Sequence, residues 1–210
     1  MNLLFTTLEK VLTEYTSGDN YEILRRARSE YFLLTGQINE DDEDYELRMN
    51  SFNDWYLFHF INPSLRTTII EHYLEKNSVE EELRNALAGP VYSIFESKGN
   101  GITGGKVLRD YIHSKTYTFK KDTILPAIMK KDLFTGRIIN YEGEPYLLSG
   151  ICFLPKRIKP LIKDECGKIA AYKDLVQERS FLLRTEYLKT KWNRYGHLDA
   201  RKIFSPDTSL

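Results

Sequence analysis

The side chains with the clearest chemical potential are eight cations in two groups: Lys120, Lys121, Lys130 and Lys131, then Lys156, Arg157, Lys159 and Lys163. Ammonium and guanidinium groups at this density can neutralise phosphates. Tyr117, Phe119 and Phe134, near the first group, would supply rings on which bases stack. Nucleic acid is therefore one candidate ligand, but no RNP, KH or helix-turn-helix signature accompanies these residues. Lysines and arginines on an amphipathic helix also serve simply as its solvated face.

Other clusters carry less chemistry. Gly99, Gly101, Gly104 and Gly105 lead to Lys106, but in phosphate-loop register the first glycine falls on Asn100 and the residue after the lysine is Val107. The pattern fails, and turn chemistry predicts a hairpin bend there. Glu40, Asp41, Asp42, Glu43 and Asp44 lack the central glycine and alternation of a calcium loop. Carboxylates in that position stabilise the start of a helix through its dipole, or offer a docking face to basic helices.

His59, His72, His113 and His197 have no metal-ligand spacing, so no metal is expected. Ser149-Gly150 lacks the first glycine of a nucleophile elbow, because Leu147 stands there. Cys152, inside an apolar run, reads as an inert core thiol. Asp110 reads as the cap of a turn at His113-Ser114. Nucleophile, base and orienting group do not occur together, so no catalytic residue and no cofactor is expected and a non-enzymatic role is favoured.

The elements that must position these residues follow from apolar spacing. Leu4, Leu8, Val11, Leu12 and Tyr15 predict one helix, ended at Ser17-Gly18, and Tyr21, Leu24, Tyr31 and Leu34 predict a second, ended at Gly36. Residues 42–61 predict a third whose Phe52, Trp55, Tyr56 and Phe58 lie on too many sides for a solvent-facing helix. It must be buried by several neighbours or by a partner, and those four residues are its candidate contacts. A fourth helix spans 65–76. A capping box of Ser78 and Glu81 predicts a fifth, stopped at Gly89-Pro90.

Beyond Pro90 the period becomes that of strands. Residues 91–96, the alternating stretch about Tyr117 and Phe119, and a hairpin of 133–140 with 146–154 make about five short strands with no room for a crossover helix. A small antiparallel SH3-like or OB-like barrel is expected. Helical spacing returns from Pro160 and again over 174–195. The fold class is thus α+β, divided into an acidic helical region 1–90, a barrel 91–155, and a basic helical region 156–210 packed on the rest.

Charge divides the same way. The 30 basic and 30 acidic side chains cancel, yet residues 1–90 hold 8 basic and 17 acidic ones while residues 156–210 hold 13 and 7. These ends must either meet inside the fold or face different neighbours. The longest apolar run, about residues 146–154, is far shorter than the roughly 20 residues needed to cross a bilayer, so no membrane association is expected. The first ten residues lack the basic start of a signal peptide, which predicts a mature chain beginning near Met1. Two unpaired cysteines fit a reducing, cytoplasmic setting.

Residues 40–60, 134–155 and 195–204, together with 25–36 (RRARSEYFLLTG), resemble a family of bacterial proteins of unknown function found in deltaproteobacteria and predatory relatives. The resemblance implies a cytoplasmic bacterial protein and brings no activity or site residues. The paired-arginine pattern of the cyclic-di-GMP-binding PilZ family does not occur. The expectation is a non-enzymatic interaction module that binds a protein partner or self-associates, with nucleic-acid binding through the barrel and basic helices as the alternative.

Overall fold

The structure, a computed structural model, describes residues 2–196 and 198–205. Helix α1, Leu3–Thr16, is capped by the Asn2 side chain, which accepts the Leu4 N–H at 2.9 Å, and turns Leu4, Leu8, Val11 and Tyr15 inward. Helix α2, Tyr21–Thr35, stops at Gly36, whose φ of 83° suits a residue without Cβ; a Cβ there would also meet Thr190 Cγ2 at 2.7 Å. Helix α3, Tyr45–Phe58, carries the aromatic residues. Helix α4, Ile69–Lys76, begins with a complete capping box of Thr68 and Glu71.

Helix α5, Glu81–Ala88, has Glu80 at its N-cap and no side-chain cap. The box expected from Ser78 and Glu81 does not form. With the helix starting at Glu81 and Glu80 at the N-cap, Ser78 lies two residues before the capping position and does not reach the orphan amides.

Six antiparallel strands follow: β1, Val91–Asn100; β2, Lys106–Asp110; β3, Thr116–Thr118; β4, Leu133–Tyr141; β5, Glu144–Leu147; and β6, Cys152–Leu154. Their order is β3-β2-β1-β4-β5, with β6 also on β4. The expected small antiparallel barrel takes the form of a curled half-barrel. β1 and β4 lie at its centre and are buried almost continuously, as strands covered on both faces are. The bend at 101–105 closes the hairpin of β1 and β2, as the glycine spacing predicts.

Residues 146–154 form two strands rather than one. Leu147 pairs with Ile138, and after the excursion of Leu148 to Ile151, Cys152 pairs with Thr135. Gly150 sits on α3 so closely that a Cβ would lie 2.6 Å from the Ser51 Cα and 2.7 Å from the Asn50 carbonyl oxygen. The strand leaves the sheet there to make this contact.

The C-terminal part comprises α6, Lys159–Tyr172; α7, Leu175–Arg194, capped by Asp174; and the short α8, Ala200–Ile203. Secondary-structure type changes between Ala88 and Val91 and between Leu154 and Lys156, but the apolar clusters cross both positions. Ile139, Tyr141, Leu148 and Leu183 belong to the helical core, and Cys166, Leu182 and Leu188 pack with Tyr92 and Ile94 of β1. Phe95, Leu108, Tyr117, Phe119 and Phe134 fill the curl of the sheet.

Candidate functional site

Three polar assemblies and one apolar groove are candidates for function. Deepest is Glu186 of α7, 1% exposed, which accepts hydrogen bonds from Tyr31 of α2 at 2.8 Å, Tyr92 of β1 at 2.7 Å and Thr135 of β4 at 2.8 Å. Arg48 of α3, equally buried, places Nη2 3.8 Å from the same carboxylate and donates to the Thr35 carbonyl and to Cys152 Sγ, the latter at 3.0 Å. Burial is the main cause raising the Tyr31 and Tyr92 hydroxyls well above their ordinary value, with the Glu186 charge next. Both therefore stay protonated and act as donors. Burial also pushes the Cys152 thiol up to about 11, which leaves it unreactive.

Beside this knot, Arg137 of β4 lies 3.9 Å from the centre of the Tyr92 ring, and none of its three guanidinium nitrogens has a hydrogen-bond partner. Asp54 of α3 keeps a part-exposed edge, yet burial pushes its carboxyl up to about 7, against the opposing effects of the Arg137 charge and the Gly150 N–H. Burial, then the charges of Arg137 and Arg179, hold His59 down to about 2, so it is neutral. Buried donors from four elements, α2, α3, β1 and β4, converge here. The assembly locks helices to sheet.

The second assembly ties β2 to α7. Asp110 accepts the Ile112 and His113 N–H groups, both at 3.0 Å, which is the turn cap the sequence predicts. It also accepts the Ser93 hydroxyl at 2.5 Å and contacts His113 Nδ1 at 2.8 Å, while His113 Nε2 reaches Glu178 at 3.2 Å. Hydrogen bonds to Asp110 and Glu178 raise the imidazole to about 10. Although serine, aspartate and histidine meet here, the carboxylate stands between hydroxyl and imidazole and Ser93 is fully buried, so no activated nucleophile results.

The third assembly surrounds Glu96 of β1, 2% exposed, which binds Lys98, Lys159 and the Tyr111 hydroxyl. Burial opposes ionisation, but hydrogen bonds from Lys159, Lys98 and Tyr111 outweigh it and hold the carboxyl at about 2. Its partners Lys98, Lys159 and Tyr111 line a pocket of about 410 Å³ together with Arg109 and Lys163.

The eight predicted cations are therefore not equivalent. Lys120 pairs with Glu144 at 3.1 Å, Lys156 with Asp132 at 2.8 Å, and Lys159 with Glu96. Lys121, Lys130, Lys131, Arg157 and Lys163 are exposed and make no ion pair within 4.0 Å among the described residues, although the Arg157 charge acts on Asp199. The stacking platform is not there: Tyr117, Phe119 and Phe134 are 7%, 1% and 0% exposed, because their rings fill the curl of the sheet.

The partner-helix expectation is corrected in the same way. Phe52, Trp55, Tyr56 and Phe58 are all buried within the chain, and the first three make ring contacts with Tyr31, Phe32 and Phe60, so these four residues are covered by neighbours and offer no free face. The acidic and basic ends meet only sparingly. Lys189 with Asp44 and Arg48 with Glu186 are the ion pairs joining residues 1–90 to 156–205 among the described residues.

The groove lies between the start of α1, the segment after β3, and the end of β5. It encloses about 790 Å³ and is lined mainly by Phe5, Ile124, Leu125, Pro126, Tyr146 and Leu147, with Lys120 and Asp122 at the rim. Tyr146 meets the Phe5 ring edge-on at 5.8 Å, while Ile124 is 96% exposed. A volume of this size, apolar with a few polar groups, is typical of a binding site, which ranges over about 300–1,000 Å³. Neither Phe5 nor Ile124 stands out in the sequence, since exposed hydrophobic residues occur singly on most surfaces.

Among the described residues no group of histidine, cysteine and carboxylate side chains could hold a metal ion, and no helix is long and apolar enough to cross a membrane. His197 lies outside the described residues. Comparison with protein-family models, curated proteins and solved structures gave no match.

Proposed function

We propose that the protein is a non-enzymatic interaction module that self-associates through the groove at Phe5, Ile124 and Tyr146. The groove carries this reading. It is lined mainly by apolar side chains, and it lies beside a protruding isoleucine. A two-fold interface requires a surface complementary to itself. Ile124 supplies a knob next to its own hole, and Lys120 and Asp122, two residues apart, supply opposite charges that a two-fold axis brings together across the contact. The Lys120–Glu144 pair is exposed, so it can exchange partners at little cost. A cytoplasmic setting belongs to the same reading and is supported by two free, buried thiols.

Nucleic-acid binding draws support from Lys121, Lys130, Lys131, Arg157 and Lys163, but without exposed rings it would depend on phosphate contacts alone. Light scattering across a concentration series separates the readings. The expected result is a dimer that dissociates on dilution and is absent from Ile124→Glu, whose unfolding midpoint matches that of the dilute, dissociated parent. A monomer at every concentration overturns the proposal.

A further inference from the structure

We propose that the pocket between β1, β2 and α6 binds the phosphate groups of a small phosphorylated molecule. The site shares no lining residue with the apolar groove. Four cations line it: Lys98 from β1, Arg109 from β2, and Lys159 and Lys163 from α6. The last two are four residues apart and so share one face of their helix.

Two of these cations are held in place rather than loose. Glu96, almost wholly buried, holds the Lys98 and Lys159 ammonium groups and the Tyr111 hydroxyl. An ammonium has three N–H donors, so each lysine keeps donors free for a ligand after serving Glu96. Arg109 donates to Thr116 Oγ1 at 3.2 Å, and neither it nor Lys163 has a carboxylate partner among the described residues. Asp110, the carboxylate at the wall, is engaged by Ser93, His113 and two backbone N–H groups.

Positive charge is thus in excess within a concavity, where low-dielectric walls concentrate the field and favour an anion. Gly167 of α6 keeps the opposite wall low, with nothing within 4 Å of where a Cβ would stand. A small ligand is favoured over a nucleic-acid strand because the site is a pocket of about 410 Å³ and the neighbouring Tyr117 and Phe119 rings face inward.

Calorimetric titration of the full chain with inorganic pyrophosphate at low salt tests this, with a single-stranded oligonucleotide as the second arm. One saturable pyrophosphate site is expected. Removing a charged hydrogen-bond donor in Arg109→Ala or Lys163→Ala should weaken it about tenfold or more, with the unfolding midpoint unchanged. Lys130→Ala, outside the pocket, should leave it intact. Absence of saturable binding, or equal weakening by Lys130→Ala, overturns the site. Oligonucleotide binding tighter than pyrophosphate binding, and lost with Lys130, Lys131 and Arg157, overturns the assignment to a small ligand.

Discussion

Glu186 and Glu96 are sealed from solvent to nearly the same degree, at 1% and 2% exposure, yet their surroundings differ in kind. Glu186 is ringed by hydroxyls from α2, β1 and β4 and faces the guanidinium of α3, all of them immobilised in the interior. Glu96 is held by two lysines whose side chains are 48% and 41% exposed. A buried carboxylate with rigid, buried partners joins elements. One served by long side chains reaching in from solvent fixes the position of charges that can also serve a ligand.

The largest test of this contrast is Glu186→Gln. It leaves Arg48 without its buried counter-ion and should cost about 3–5 kcal/mol in urea unfolding. Glu96→Gln should cost only about 1–2 kcal/mol, since freed lysine heads return to water. Equal losses would erase the distinction.

Stability should also depend on pH with opposite signs at different sites. Glu96 has its carboxyl lowered from 4.5 to about 2, so its contribution is complete above pH 4.5 and disappears as pH falls through about 2. His113 is raised from 6.5 to about 10, so its contribution is complete below pH 6.5 and is lost as pH rises through about 10. Asp54, raised from 3.8 to about 7, likewise favours the folded state while protonated, and that advantage is lost between those values. Thermal unfolding followed across pH should show His113→Gln flattening the alkaline decline and Asp54→Asn flattening the loss of stability as pH rises from 3.8 to about 7.

Lys163→Ala and Ile124→Glu should move stability least, within about 0.5 kcal/mol, as surface substitutions do. Their effects should lie in binding alone. A large loss of stability from either would mean that the surface is structural rather than functional.

Helix positions, the α+β class, the Asp110 turn cap and the bend at 101–105 were legible because each rests on neighbours a few residues apart. The Glu186 knot was not, since its hydroxyl donors stand 155, 94 and 51 residues away. A local trace of it exists nonetheless. Glu186 falls one helical turn after Leu182, and Arg48 one turn before Phe52, placing a charge on each otherwise apolar face. The aromatic excess of α3 correctly indicated burial on several sides, but spacing cannot tell cover by the same chain from cover by another. The groove depends on residues 5, 124 and 146, which come together only when the sheet curls against α1.

The proposed self-association is tested most directly by hydrogen–deuterium exchange on the intact chain, compared between dilute and concentrated samples. Added protection at high concentration is expected in residues 2–6, 120–126 and 144–149, with the rest of the chain unchanged. Protection confined to another face, or no concentration dependence at all, would contradict it.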